Sequence, residues 1–257
     1  MNDNQAKLPA FVDEGQGDPI VLLHAFPLDG TMWDNERIAL SQSRRVVVPD
    51  LRGFGRSGKL PPPGSLDEHA DDVARIMDHL GIERAAVAGL SMGGYIAFAF
   101  ARRHPHRLVR LVLADTRSAP DSVDGRRGRD ENIALVRSEG VPPLVERLLP
   151  KLLSPKASPE VVTRVRALGG RQTAEGVGAA LAAMRDRPDA TPILPGIAVP
   201  SLIIVGEADS ISPPTEARAM ATAIPEAELA VIAGAGHLTN LEAPAAFMAA
   251  MLKFLDR

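Results

Sequence analysis

Ser91 stands in Gly89-Leu90-Ser91-Met92-Gly93, directly after an apolar run, Ala85 to Ala88, and before a helix-like segment from Tyr95 to Arg103. A strand, a tight Gly-x-Ser-x-Gly turn and a helix form the setting in which a serine is lifted clear of a sheet as a nucleophile. A serine hydroxyl is a weak nucleophile: it needs a base, and the base needs a carboxylate to orient it. Two later loops supply those residue types. Gly206-Glu207-Ala208-Asp209-Ser210 follows an apolar run ending at Val205, and Ala233-Gly234-Ala235-Gly236-His237 follows one ending at Ile232. Parallel strands would deliver Ser91, Asp209 and His237 to the same edge of a sheet. Taken singly, each has a plainer reading: a glycine-rich connection, a cap for the helix near Pro213, and a surface histidine after a turn.

The elements that must position these residues alternate. Phe11 to Gly17 reads as the end of a short strand and a turn. Pro19 to Leu23 is a continuous apolar run, as expected of a strand buried on both faces. It empties into His24-Ala25-Phe26-Pro27-Leu28-Asp29-Gly30, after which Thr31 is placed to cap a helix to about Ser41. Arg45 to Pro49 is the next strand, followed by the glycine-punctuated loop Asp50 to Gly58. Ser65-Leu66-Asp67-Glu68 is a capping box opening a helix on Val73, Ile76, Met77 and Leu80. After the serine segment, Leu108 to Ala114 is again strand-like. Strand, helix, strand, helix, strand predicts an α/β fold with a mostly parallel sheet and helices on both faces.

The alternation stops at Asp115. Thr116 to Asp130 is charged, rich in arginine and without a strand, and from there to about Asp189 there are only helical segments, divided by Pro142-Pro143, Pro155, Pro159 and Gly169-Gly170. Residues 116–191 therefore read as a helical unit inserted into a core made of 1–115 and 192–257. Ser201 to Val205 and Leu229 to Ile232 resume the strands, and Pro213 to Ile224 and Pro244 to Leu255 the helices.

Composition excludes several classes. A formal net charge of −3 offers nothing to nucleic acid or an anionic membrane. The absence of cysteine removes thiol catalysis and Cys-ligated zinc. Met1 to Leu8 lacks the basic-then-apolar pattern of a leader, and no apolar run approaches the ~20 residues of a membrane span, so a cytoplasmic location is expected. The glycines of Arg52 to Gly58 make no phosphate loop, because no Gly-Lys-Ser/Thr follows. No metal or cofactor is implied.

His24-Ala25-Phe26-Pro27, Asp50-Leu51-Arg52-Gly53-Phe54-Gly55-Arg56-Ser57, the serine elbow, Gly206-Glu207-Ala208-Asp209 with Pro213, and Gly236-His237 come in an order and spacing that resemble the α/β-hydrolase family over essentially the whole chain. The resemblance implies an eight-stranded sheet whose second strand is antiparallel, with a helical cap after strand six. It implies a triad of Ser91, His237 and Asp209, and an oxyanion hole from the backbone N–H groups of Phe26 and Met92. Asp115 is the rival acid, since some members take it from that strand end; Glu207 is expected to point away. His24 would brace the oxyanion loop, and Asp50 and Arg52 the loop beneath it. The family usually has His-Gly where this chain has His24-Ala25, which keeps a small residue with less backbone freedom. Because Ser91 is a serine, the aspartate nucleophile of dehalogenases and epoxide hydrolases is absent.

The pocket is expected between the sheet edge and the cap, with Met32, Trp33 and Leu238 in its lining, together with Phe26 and Met92. His69, His79, His104 and His106 read as solvated positions, and most of Arg117, Arg126, Arg127 and Arg129 as a solvated helix face rather than a site for an acidic substrate. The expected activity is cleavage of small carboxylic esters or lactones through an acyl-enzyme on Ser91, nearest the carboxylesterase and enol-lactonase group. A carbon–carbon bond hydrolase and a cofactor-free perhydrolase or haloperoxidase share the same triad. A proline aminopeptidase would want an acidic cluster for a free amine, which the cap lacks. The non-enzyme alternative is a ligand-binding protein on a hydrolase fold.

Overall fold

The computed structural model describes residues 7–62 and 64–257; residues 1–6, most of the Met1–Leu8 stretch, lie outside it. In chain order the elements are β1 (Phe11–Glu14), β2 (Pro19–Leu23), α1 (Asp34–Leu40), β3 (Arg45–Pro49), α2 (Leu66–His79), β4 (Ala85–Leu90), α3 (Met92–Arg103) and β5 (Leu108–Ala114). Then follow α4 (Val123–Glu139), α5 (Val141–Leu152), α6 (Pro159–Gly170) and α7 (Ala174–Arg185). The chain closes with β6 (Ser201–Gly206), α8 (Pro214–Ala223), β7 (Ala227–Ile232), α9 (Thr239–Glu242) and α10 (Pro244–Leu255).

Among the described residues the sheet has seven strands, ordered β1-β3-β2-β4-β5-β6-β7, where eight were expected. The antiparallel strand is β1 at the edge, paired with β3, rather than the second strand. No described strand precedes Phe11, so the count begins one strand late and the helical insertion follows the fifth strand. All other pairings are parallel. β4 and β6 are buried along their whole length, which is why they read as unbroken apolar runs.

Strand order fixes where a ligand can sit. From β2 the chain moves outward to β3, then returns across β2 to β4 and continues the other way. With right-handed crossovers this places α1 on one face and α2, α3 and α8 on the other. The reversal lies between β2 and β4, and the crevice beyond their carboxyl ends is the switch-point site of such sheets. Leu23 pairs with Gly89 across that gap, so the loop after β2 and the turn after β4 begin side by side.

Side-chain caps open α2, α4, α6 and α7, from Ser65, Ser122, Ser158 and Thr173. Ser65 Oγ accepts the N–H of Glu68, one half of the expected capping box, while Glu68 Oε1 reaches one residue past the cap to accept the N–H of Gly64. The helix expected from Thr31 is instead a 3₁₀ turn over Gly30–Trp33 leading into α1, and its cap is Asp29, whose Oδ1 accepts the Thr31 N–H at 3.1 Å. Among the described residues no helix is long and apolar enough to cross a membrane.

Candidate active site

β4 delivers Ser91 into a backbone conformation with φ 55° and ψ −111°, a left-handed region that a non-glycine residue occupies only under constraint. The constraint is visible. Ser91 N–H donates to Ala114 O at 2.9 Å, and Thr116 Oγ1 donates to Ser91 O at 3.0 Å. A Cβ on Gly89 would lie 2.1 Å from Gly93 O, and one on Gly93 would lie 2.1 Å from Leu23 O. Only glycine lets strand and helix approach that closely, so the two glycines allow the turn and the turn presents Ser91 at the N-terminus of α3.

The loops after β6 and β7 meet it there. His237 Nε2 lies 2.8 Å from Ser91 Oγ, and His237 Nδ1 lies 2.8 Å from Asp209 Oδ2. His237 and Asp209 are 1% and 3% exposed, so the contacts are made with little water. Asp209 Oδ1 accepts the N–H groups of Ile211 (2.8 Å) and Ser212 (3.0 Å), and Ser212 Oγ donates to Oδ2 at 2.7 Å. Burial pushes the Asp209 carboxyl up, but the charge and hydrogen bond of His237 and the bonds from Ser212 outweigh it, and its pKa is lowered. Ser212 had not been singled out from sequence; the signal is an Asp followed three residues on by Ser just before a helix-opening Pro-Pro. Glu242 is a second such residue: Oε1 accepts Gly236 N–H and Oε2 accepts Ser154 N–H, both at 2.9 Å, tying the His237 loop to the end of α5.

Asp115 is fully buried at the end of β5 but turns away from His237. Its Oδ1 accepts Gly206 N–H at 2.9 Å and its Oδ2 the hydroxyl and N–H of Thr239. Burial, with Asp209 adding to it, raises its pKa, so it is a poor partner for an imidazolium. Glu207 accepts Gly234 N–H at the surface.

On the other side of Ser91, Leu51 N–H donates to His24 Nε2 at 3.1 Å, which leaves the His24 proton on Nδ1, 3.0 Å from Ala25 O. Burial lowers the His24 pKa and keeps the ring neutral. Asp50 Oδ1 accepts Gly30 N–H at 2.9 Å, and Arg52 pairs with Asp72. This frame holds the Phe26 loop beside α3. Among the described residues neither Phe26 N–H nor Met92 N–H has a backbone or side-chain acceptor.

A small cavity of about 60 Å³ opens on Ser91 and His237, and its walls include Phe26, Tyr95, Leu148, Leu152, Leu181 and Met184. Most of these come from the inserted helices. Met32, Trp33, Met92 and Leu238, expected in the lining, are 0% exposed and are not among its walls, whereas Phe26 is. Met32 Sδ faces Ala25 N–H at 3.1 Å beneath the loop, and Trp33 packs against Phe247 of α10. A larger cavity of about 260 Å³ adjoins; Tyr95 lines both, with the Arg187 guanidinium 4.1 Å above its ring. Arg126 and Arg127 are exposed as expected, whereas Arg117 and Arg129 turn inward to Asp121. His69 also departs from expectation: it is 1% exposed, and burial lowers its pKa to about 3.

Comparison with known proteins agrees with this architecture. The sequence pattern of the alpha/beta hydrolase fold family matches residues 18–244. The structure superposes on a thermophilic esterase from Thermogutta terrifontis, described with malate bound, with TM-score 0.93 and 43% identity, covering 96% of this chain and 92% of that one. It superposes on the enol-lactonase from Burkholderia xenovorans LB400 with TM-score 0.89 and 31% identity, covering 96% of each chain. By sequence it is 32% identical over 94% of its length to a dihydrolipoyllysine-residue acetyltransferase component of an acetoin cleaving system from Pseudomonas putida, of which it spans 64%. A strand-borne strained serine, two later sheet-edge loops that meet it, and a family pattern running through all of them have one common source: the chain belongs to the α/β-hydrolase family.

Proposed function

We propose that the protein is a serine hydrolase that cleaves small carboxylic esters or lactones through an acyl-enzyme on Ser91. The observation that carries the reading is the relay in which His237 stands 2.8 Å from Ser91 Oγ and 2.8 Å from Asp209 Oδ2. Ser91 Oγ attacks the substrate carbonyl carbon while its proton passes to His237 Nε2. Asp209 holds the ring and stabilises the imidazolium. The tetrahedral oxyanion is held by Phe26 N–H and Met92 N–H, donors of a kind each worth about 10²–10³ in rate. His237 gives its proton to the leaving alkoxide, the C–O bond breaks, and water, deprotonated by the same nitrogen, releases the acid and restores Ser91.

The cavity supports a small acyl group, since about 60 Å³ has room for only a few heavy atoms without rearrangement. The likeness to an esterase at 43% identity and an enol-lactonase at 31% supports oxygen-ester chemistry over carbon–carbon cleavage. In this reading 1–115 and 192–257 form the catalytic core and 116–191 the cap that shapes its pocket. A panel of esters, lactones and amides of graded size, run on wild type and Ser91→Ala, tests it. Short esters or lactones should be turned over and Ser91→Ala should be inactive; turnover surviving in Ser91→Ala contradicts it.

A further inference from the structure

Two buried carboxylates flank Gly30, at the end of the loop that carries Phe26. Asp50 Oδ1 accepts Gly30 N–H at 2.9 Å, and its Oδ2 takes Arg56 Nε, from the glycine loop after β3, at 2.6 Å. The cation on Asp29 comes from the inserted helices. Arg171, in the turn between α6 and α7, bonds it with two prongs, Nε to Oδ2 at 2.8 Å and Nη2 to Oδ1 at 2.7 Å. Gln172 Nε2 adds a bond to Oδ2 at 2.8 Å. Burial pushes the Asp29 carboxyl up, but the bonds from Thr31, Arg171 and Gln172 outweigh it, and its pKa is lowered.

The same turn meets the core at further points. Arg171 Nη2 donates to Thr31 Oγ1 at 2.7 Å, and that hydroxyl donates to Asp29 Oδ1 at 2.6 Å. Arg164 Nη2 donates to Thr31 O at 3.0 Å. Gln172 Oε1 accepts Gly55 N–H at 2.8 Å, and a Cβ on Gly176 would lie 2.0 Å from Gly53 O, so the two backbones touch. Arg166, also on α6, pairs instead with Glu146 of α5 at the surface.

From Asp29 back to Phe26 the chain is a tight turn. Leu28 N–H donates to Ala25 O at 2.9 Å, enclosing Phe26 and Pro27, and Met32 N–H donates to Asp29 O at 3.0 Å. A displacement of Asp29 therefore moves the Phe26 N–H. An oxyanion donor acts at about 2.7–3.1 Å from the charged oxygen, and a misplacement of about 1 Å costs on the order of 10² in rate.

We propose that Arg171 and Gln172 are positioning residues for the oxyanion hole: seated on Asp29, they fix the loop that aims the Phe26 N–H, so the hole is complete only while the α6–α7 turn is docked. The proposal rests on Ser91 as nucleophile and Phe26 N–H as oxyanion donor.

The test compares wild type, Arg171→Met, Arg171→Lys and the control Arg166→Met on ethyl butyrate, with 1,1,1-trifluoro-2-pentanone as inhibitor. Ser91 Oγ adds to the ketone carbon, its proton passes to His237, and the carbonyl oxygen becomes the oxyanion in the hole. Arg171→Met should lower kcat about 10- to 100-fold with KM within about twofold, since the hole acts on the transition state. Its inhibition constant for the ketone should rise in proportion. Arg171→Lys, which keeps the charge without the fork, should fall only about three- to tenfold. Arg166→Met should match wild type in both measurements. A lower Tm with kcat and ketone inhibition at wild type would make Arg171 an anchor of the inserted helices and nothing more. A rise in KM with kcat intact would place it in substrate binding, and an equal loss in Arg166→Met would make the effect general to surface ion pairs; each overturns the proposal. If Arg171→Met does not fold, Arg171→Lys decides, and wild-type kcat in it overturns the proposal. If wild type cleaves no ester and takes no ketone, the Ser91 reading fails and this proposal with it; if wild type does both and Arg171→Met matches it, the proposal alone fails.

Discussion

Asp209 Oδ2 lies 2.8 Å from His237 Nδ1, while Asp115, buried at the end of β5 on the same sheet edge, bonds Thr239 and Gly206 instead. The two acids have opposite environments. Asp209 is held as a carboxylate by His237 and Ser212, and Asp115 is pushed toward its neutral form by burial.

Asp209→Asn should therefore lower kcat by about 10⁴ with little change in KM, because the ring loses its orienting charge and tautomer. Asp115→Asn keeps the acceptor for Gly206 N–H and should stay within about tenfold of wild type. Steady-state kinetics on one short ester checks both, and the reverse ranking would make Asp115 the working acid.

Ser212 acts through Asp209. Removing its hydroxyl takes one of the hydrogen bonds from Oδ2. Ser212→Ala should lower kcat about tenfold, leave KM near wild type, and shift the acidic limb of the kcat/KM profile upward as the carboxylate is less well held. A rise in KM with kcat intact would assign Ser212 to substrate contact instead.

Tyr95 lines both the small reactive cavity and the larger one beside it. Tyr95→Ala should join them and raise the kcat/KM ratio of octanoyl to butyryl esters about tenfold, whereas Tyr95→Phe should keep the wild-type profile. An unchanged chain-length profile in Tyr95→Ala would show that the larger cavity does not serve the acyl chain.

Glu36 of α1 is fully buried, with Oε1 unpartnered, and burial pushes its pKa from 4.5 to about 7. Between pH 4.5 and 7 the folded state holds a proton that the unfolded chain has lost, so Glu36 contributes a stability that falls as pH rises. The full effect is about 3 kcal/mol. Glu36→Gln should be little different from wild type at pH 4.5 and gain on it up to pH 7. Denaturant titrations at several pH values measure this; His69, with the opposite sign, is common to both proteins and cancels. Parallel curves would mean that Glu36 titrates normally.

The serine elbow was legible because its requirements are local: Gly89 and Gly93 are demanded by backbone atoms within a few residues or one strand away. The loops carrying Asp209 and His237 were legible because buried strands read as apolar runs, and their ends mark the sheet edge. The pocket was not. Whether Arg129, Leu148 or Met184 faces Ser91 depends on how α4, α5 and α7 pack, and the amphipathic spacing of a helix does not name its partner. Asp121 gathers Arg187 from 66 residues further along the chain, a pairing with no sequence signal. Met32 and Trp33, apolar residues just after the Phe26 loop, fit a pocket lining or the core equally well by sequence; the 3₁₀ turn over Gly30–Trp33 buries both in the core.

The central claim is that Ser91 is the nucleophile, and trapping it covalently tests that most directly. A phosphonate ester with a short acyl-like group, incubated with the full chain and followed by intact mass and peptide mapping, should add one phosphonyl group, on Ser91, as ester hydrolysis disappears. Ser91→Ala should take no adduct. No adduct on wild type, or an adduct elsewhere while hydrolysis continues, would contradict the account.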